Sequence, residues 1–195
     1  MSVVDHDLLH QDEIKLAVKS AYQAIDSGAG SHVVDRLYSA EEIAGLPGGA
    51  IEWALGIGNP VRYAEISPGE IVLDVGCGGG IDSLLAARQV GPEGKVIGLD
   101  MVEKMLDRSR RHAAACGLGG SCEFISGEME KIPLPAMSVD VAISNGVVNL
   151  SPRKARVLAE ILRVLRPGGR LVIADLVLEQ ELPPELVTSD AAWAG

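Results

Sequence analysis

The chain has 195 residues, 47% of them hydrophobic and 23% charged, with 27 acidic against 17 basic side chains and a net charge of −10. That length suits one α/β domain with a real core, and an acidic chain lacks the electrostatic footprint for phosphate backbones, so no nucleic-acid partner is expected. No apolar run reaches the roughly 18 residues of a membrane span, the opening MSVVDHDLLHQDE lacks a signal-peptide pattern, and three irregularly spaced cysteines make no disulfide framework; the expected setting is cytoplasmic and reducing, with no membrane partner.

Residues 12–26 carry apolar side chains at Ile14, Leu16, Ala17, Ala21, Ala24 and Ile25, a helical stripe. Just before it, His6 and His10 have metal-ligand spacing but no clear third ligand, and read as a solvated helix start. Gly28 and Gly30 end the stripe. Ser39 followed by Glu42 has the form of a capping box, and Asn59-Pro60 makes a second helix start. Residues 1–66 therefore read as a helical cap of short helices and loops.

From residue 67 the texture changes. Strand patterns at 71–76 (IVLDVG), 95–100 (KVIGLD), 122–127 (CEFISG), 139–145 (VDVAISN) and 170–178 (RLVIADLVL) alternate with helical patterns at 81–90, 102–116 and from Ser151 through Leu165. Such alternation predicts right-handed crossovers and a doubly wound, mostly parallel sheet over residues 67–195, Rossmann-like in class. Arg108, Arg110, Arg111 and His112 read as a solvated face of the second helix, and Cys77, Cys116 and Cys122 as small buried hydrophobes.

The strongest local signal is LDVGCGGG at 73–80. Asp74, Gly76, Gly78 and Gly80 form D-x-G-x-G-x-G at a strand-to-helix turn, where backbone N–H groups can approach a ligand. A dinucleotide loop would place its third glycine at position 81, which is Ile81, and would avoid a carboxylate at Asp74. S-adenosylmethionine carries a sulfonium and an ammonium and no phosphate, so an acid in the loop suits it. Asp100 ends the second strand pattern, 20 residues beyond Gly80, where it can accept from both ribose hydroxyls. Met101 can lie on the adenine face, Glu128 can accept from the adenine amine, and the Met129 backbone can read the ring edge. Each acid alone could be a helix cap; three on consecutive strand tips, in order, point to a cofactor site.

This series resembles class I S-adenosylmethionine-dependent methyltransferases, with PLPAMSVDVAISN and LRVLRPGGRLVIADL similar to that family's fourth-strand and fifth-strand motifs. Within it, YSAEEIAGLPGGA, GIGNPV, VGPEGKVIGLDMVEKML and SNGVVNLSPRKARVLAEILRVLRPGG resemble the arsenite methyltransferase branch. The resemblance implies S-adenosylmethionine as cofactor, a small-molecule methyl acceptor, Asn145 near the methionine end of the cofactor, and Asn149 facing the acceptor. It implies soft thiolate ligands for arsenic, yet Ser83 and Gly146 stand where the branch has cysteines. Arsenite is therefore set aside as the expected acceptor, and a cofactor-binding but catalytically silent protein is the alternative. The resemblance also implies a seven-stranded sheet, of which the last two strands are absent from the sequence patterns here. An uncovered fifth strand would be an exposed edge, so a homodimer or a partner chain over it is expected.

Overall fold

A computed structural model describes residues 3–25 and 30–177. The residues after 177 lie outside the described residues, as do the side chains of His6 and His10. Five parallel strands, β1 (Ile71–Val75), β2 (Lys95–Asp100), β3 (Cys122–Ser126), β4 (Val139–Asn145) and β5 (Leu165–Ala174), form one sheet in the order β3-β2-β1-β4-β5. The order reverses at β1, which pairs with β2 on one side and β4 on the other; that switch point is where doubly wound sheets open a crevice.

The helices are α1 (Val3–Ala24), α2 (Gly30–Leu37), α3 (Ala40–Ile43), α4 (Gly48–Glu52), α5 (Ile81–Val90), α6 (Glu103–Ala115) and α7 (Lys154–Val164). Alternating strand residues face opposite layers. Val72, Val96, Val141 and Ile143 pack with Leu84 and Val90 of α5 and Leu106 of α6, and with Val34 and Tyr38 from the N-terminal segment. Leu73, Val75, Leu99 and Ala142 pack on the other face against Val157, Ile161 and Val164 of α7. With aromatics at 3% of the chain, both layers are built almost wholly of branched aliphatic residues and alanine.

Several local expectations hold in detail. Ser39 caps α3, accepting from Glu42 N while the Glu42 carboxylate accepts from Ser39 N. Asn59 caps a short 3-10 turn, Pro60–Tyr63, rather than an α-helix. Others need correction. The inward face of α1 is Ile14 and Val18, while Leu16 is 64% exposed; the spacing of four, not the count of apolar residues, decides which side is buried. Helix α7 stops at Val164, before the PGG turn, and β5 already begins at Leu165, which pairs with Val139 before a register shift. Arg108 and His112 are not on a solvated face. Arg108 is buried and stacks 3.3 Å from the centroid of the Trp53 ring. His112 Nδ1 bonds the Gly79 carbonyl at 2.8 Å.

Candidate functional site

The strand tips of β1, β2 and β4, the turn after β3 and the N-terminal helices enclose a cleft with about 1030 Å³ of empty space, counting its open mouth. Its floor is the loop after β1. Gly78 has φ +50, and nothing lies within 4 Å of where a Cβ would stand, so the loop presents bare backbone to the cleft. Gly76, Cys77 and Gly79 also line it, while Gly80 is set back at the N-cap of α5, against the Ser109 side chain. The D-x-G-x-G-x-G pattern predicts Gly80 at the ligand, and the structure instead places it behind the loop.

Asp100 lies between the loop and the tip of β2. Its Oδ2 accepts from Gly78 N at 3.0 Å and its Oδ1 from Val102 N at 2.8 Å, and burial raises its pKa. Each oxygen keeps lone pairs for a ligand in the cleft, which Asp100 and Met101 both line. Asp74 is buried at the end of β1 and accepts from Ser83 Oγ at 2.5 Å. Beside it sits Asp82, in the first turn of α5, which the sequence reading missed. Tyr38 Oη donates to Asp82 Oδ1 at 2.7 Å and Asn145 Nδ2 donates to Oδ2 at 2.8 Å. Burial pushes both carboxyls up, and the neighbouring Asp82 adds to the rise at Asp74.

Asn145, at the tip of β4, lines the cleft as expected. Its Oδ1 accepts from Ile57 N and Gly58 N at 2.9 and 3.0 Å, tying the N-terminal segment to the sheet. Gly146 follows with φ +76 and also faces the cleft, so a side chain there would have to hold a left-handed backbone.

Two of the expected residues lie outside the cleft wall. Glu128 is outside the cleft wall: its side chain is 54% exposed and bonded to Lys15 Nζ at 2.7 Å. Glu130 lines the cleft instead. It is 6% exposed, its Oε1 accepts from Ser151 Oγ at 2.7 Å, and its Oε2 has no protein partner among the described residues. Met129 alone separates the pair, and the tight turn between Glu128 and Lys131 decides which one faces inward. Asn149 is the other: it faces away from the cleft, its Nδ2 donating to Asp175 Oδ1 at 2.9 Å and to the Leu176 carbonyl. The side chain is used up in fastening the end of β5.

The remaining wall comes from the N-terminal helices, in the segment the sequence reads as a helical cap. Lys15, Val18 and Tyr22 of α1 lie over the cleft, and Trp53, just after α4, packs on Gly79 so closely that a Cβ there would come within 2.6 Å of the Trp53 Cβ. Cys77 is the one thiol of the wall among the described residues, and burial with Asp100 and Asp74 nearby holds its pKa well up, as a protonated thiol. Burial pushes Cys122 up to about 12. Among the described residues no cluster of metal-ligating side chains occurs, and no helix is long and apolar enough to cross a membrane.

A domain family described as methyltransferase domain matches residues 66–195. The chain belongs to this methyltransferase family. An arsenite methyltransferase of Halobacterium salinarum is 45% identical over 149 residues, covering 76% of this chain and 38% of that protein. A demethylmenaquinone methyltransferase of Symbiobacterium thermophilum is 38% identical over 112 residues, 57% of this chain and 45% of that protein. Among solved structures, an arsenic(III) S-adenosylmethionine methyltransferase from Chlamydomonas reinhardtii matches at a TM-score of 0.68 and 40% identity, over 75% of this chain and 51% of that one. The chain thus spans less than half the length of these curated relatives. Family and fold neighbours imply S-adenosylmethionine as the cofactor, and the cleft fits it. A bare glycine backbone, buried carboxylates for a cationic ligand, and an apolar slot between Leu99, Met101 and Met129 are the groups such a molecule requires.

Proposed function

We propose that the protein is an S-adenosylmethionine-dependent methyltransferase whose acceptor is a small molecule other than arsenite. The observation that carries this reading is the cleft at the switch point of the sheet, whose wall joins the glycine loop, three buried or half-buried aspartates and an apolar slot. In this reading Asp100 accepts from the ribose hydroxyls, and Met101 and Met129 flank the adenine. Glu130, whose Oε2 has no protein partner among the described residues, takes the adenine amine in place of Glu128. Asp74 and Asn145 lie at the methionine end, and the backbone of Gly76 and Gly78 forms the floor beneath it.

The cofactor supplies a methyl group already activated by its sulfonium, so the chain's own residues have to align the acceptor and exclude water. Leu55, Val147 and Leu150, with α1 across the mouth, provide an apolar, covered setting for that. A trivalent arsenic would need thiolates. Here Ser83 Oγ is spent on Asp74, Gly146 has no side chain, and Cys77 is held protonated. Similarity to both arsenite and demethylmenaquinone methyltransferases leaves the acceptor class open to other small molecules.

The test is release of S-adenosylhomocysteine by the full chain, offered arsenite with glutathione, small thiols, and quinols or phenols. Turnover on an organic acceptor and none on arsenite is the expected result. Turnover on arsenite would overturn the acceptor reading, and cofactor binding with no turnover across the panel would favour a silent binding protein.

A further inference from the structure

Asp82 is not among the cofactor-binding residues expected from the sequence, yet it is 5% exposed, faces the cleft, and receives two donors from distant parts of the chain. Its setting is built. The Asn145 amide is fixed because its Oδ1 accepts two backbone N–H groups, which forces Nδ2 towards Asp82. Tyr38, 44 residues earlier, has its ring buried in the core and its hydroxyl on the other carboxylate oxygen. Tyr38 itself is shifted strongly upward by burial and by Asp82, so it stays a neutral donor at any working pH. The groups facing the carboxylate are Tyr38 from the N-terminal segment, Asp74 from β1 and Asn145 from β4. Two acids side by side in a buried wall repel each other, and donors that favour the charged form offset both that repulsion and the desolvation.

We propose that Asp82 is a second anionic group for the amine-bearing end of the cofactor, and that Tyr38 is a positioning residue holding Asp82 charged from outside the sheet. The inference rests on the cofactor reading above. It gives the N-terminal segment a part in the site beyond covering it: without Tyr38 the site keeps its shape and loses part of its negative charge near neutral pH. Burial raises Asp82 overall, and the hydrogen bonds from Asn145 and Tyr38 act against that rise.

The experiment is titration calorimetry of the full chain with S-adenosylhomocysteine and with its N-acetylated form, between pH 5.5 and 8, for the natural sequence and for Tyr38→Phe. The ratio of the two proteins' affinities cancels the ligand's own titration. A carboxyl whose pKa rises by about one unit gives a ratio of roughly tenfold at the acid end, shrinking towards unity at pH 8, because the variant's Asp82 regains its charge there. The N-acetylated ligand, which carries no ammonium, is expected to show no such trend. A ratio constant with pH, or equal affinities throughout, would overturn the role given to Tyr38 while leaving the cofactor reading intact. No binding by the natural sequence would overturn both. If Tyr38→Phe loses its cooperative unfolding transition, Asp82→Asn decides. That variant should discriminate less between the two ligands than the natural sequence does, and undiminished discrimination sinks the proposal.

Discussion

The two sides of the cleft are built differently. On the sheet side, the loop after β1 and the tip of β2 act through backbone: Gly78 is bare towards the cleft, and Asp100 ties its N–H to the strand end. On the N-terminal side, contact is made by large side chains reaching across long sequence separations. Tyr38 meets Asp82, Trp53 covers Gly79 and stacks on Arg108, and Lys15 takes Glu128. The first kind of surface is made by a few adjacent residues and tolerates little change of type. The second depends on packing, and any one member can be exchanged at a cost set by what it leaves exposed or unpaired.

That contrast can be broken in order of expected effect. Trp53→Ala should remove the ring that covers Gly79 and stacks on the buried Arg108 guanidinium. A loss of about 3–5 kcal/mol in urea unfolding is expected, and a loss under 1 kcal/mol would show that the helices are only draped on the sheet. Asp100→Ala should leave the fold intact and weaken cofactor binding by about 10- to 100-fold, the range of one or two charge-assisted hydrogen bonds. Calorimetry showing unchanged affinity would end the ribose assignment. Glu130→Ala should weaken binding several-fold and Glu128→Ala by less than about twofold, since an exposed ion pair contributes little. The reverse ranking would return the adenine amine to Glu128.

Acidity probes the same contrast. Asp74, Asp82 and Asp100 are raised in the fold, so the native state keeps protons that the unfolded chain releases from about pH 4 upward. Their contribution to stability is full below that point and declines as pH rises through their folded values. Glu42, Glu70, Asp140 and Glu160 are lowered, with Arg62, Arg170, Arg166 and Arg163 as partners, so their contribution is lost as pH falls below the ordinary carboxylate range. Without ligand, thermal stability should therefore peak in mild acid and fall towards pH 8, and Asp82→Asn should flatten that fall. A small effect is expected at Ser144, whose buried hydroxyl has no partner among the described residues. Ser144→Ala should raise stability by up to about 1 kcal/mol.

Most of the sheet side was legible in the sequence. The pattern at 139–145 matches β4 residue for residue, and that at 81–90 matches α5, because hydrophobic period and glycine turns act locally. Asp74, Gly76, Gly78, Asp100, Met101, Met129 and Asn145 all reach the cleft wall. What was not legible depends on tertiary placement. Asp82 stands just before Ser83 in GGGIDS, but an acid in the first turn of a helix is common there and does not by itself mark a cleft residue. Arg108 reads as solvated because Trp53, whose ring it stacks on, lies 55 residues away in the sequence. The choice between Glu128 and Glu130 hangs on a two-residue turn, below the resolution of periodicity.

The position of Trp53 gives the cleft an optical handle. The indole forms part of the wall, with a guanidinium over its ring, so its emission depends on how wet and how polar that corner is. The other tryptophan of the chain is Trp193. In a Trp193→Phe background all indole fluorescence arises at the cleft, and filling the site should move its wavelength and intensity. Occupancy could then be followed in real time, with no labelled ligand and before any acceptor is known.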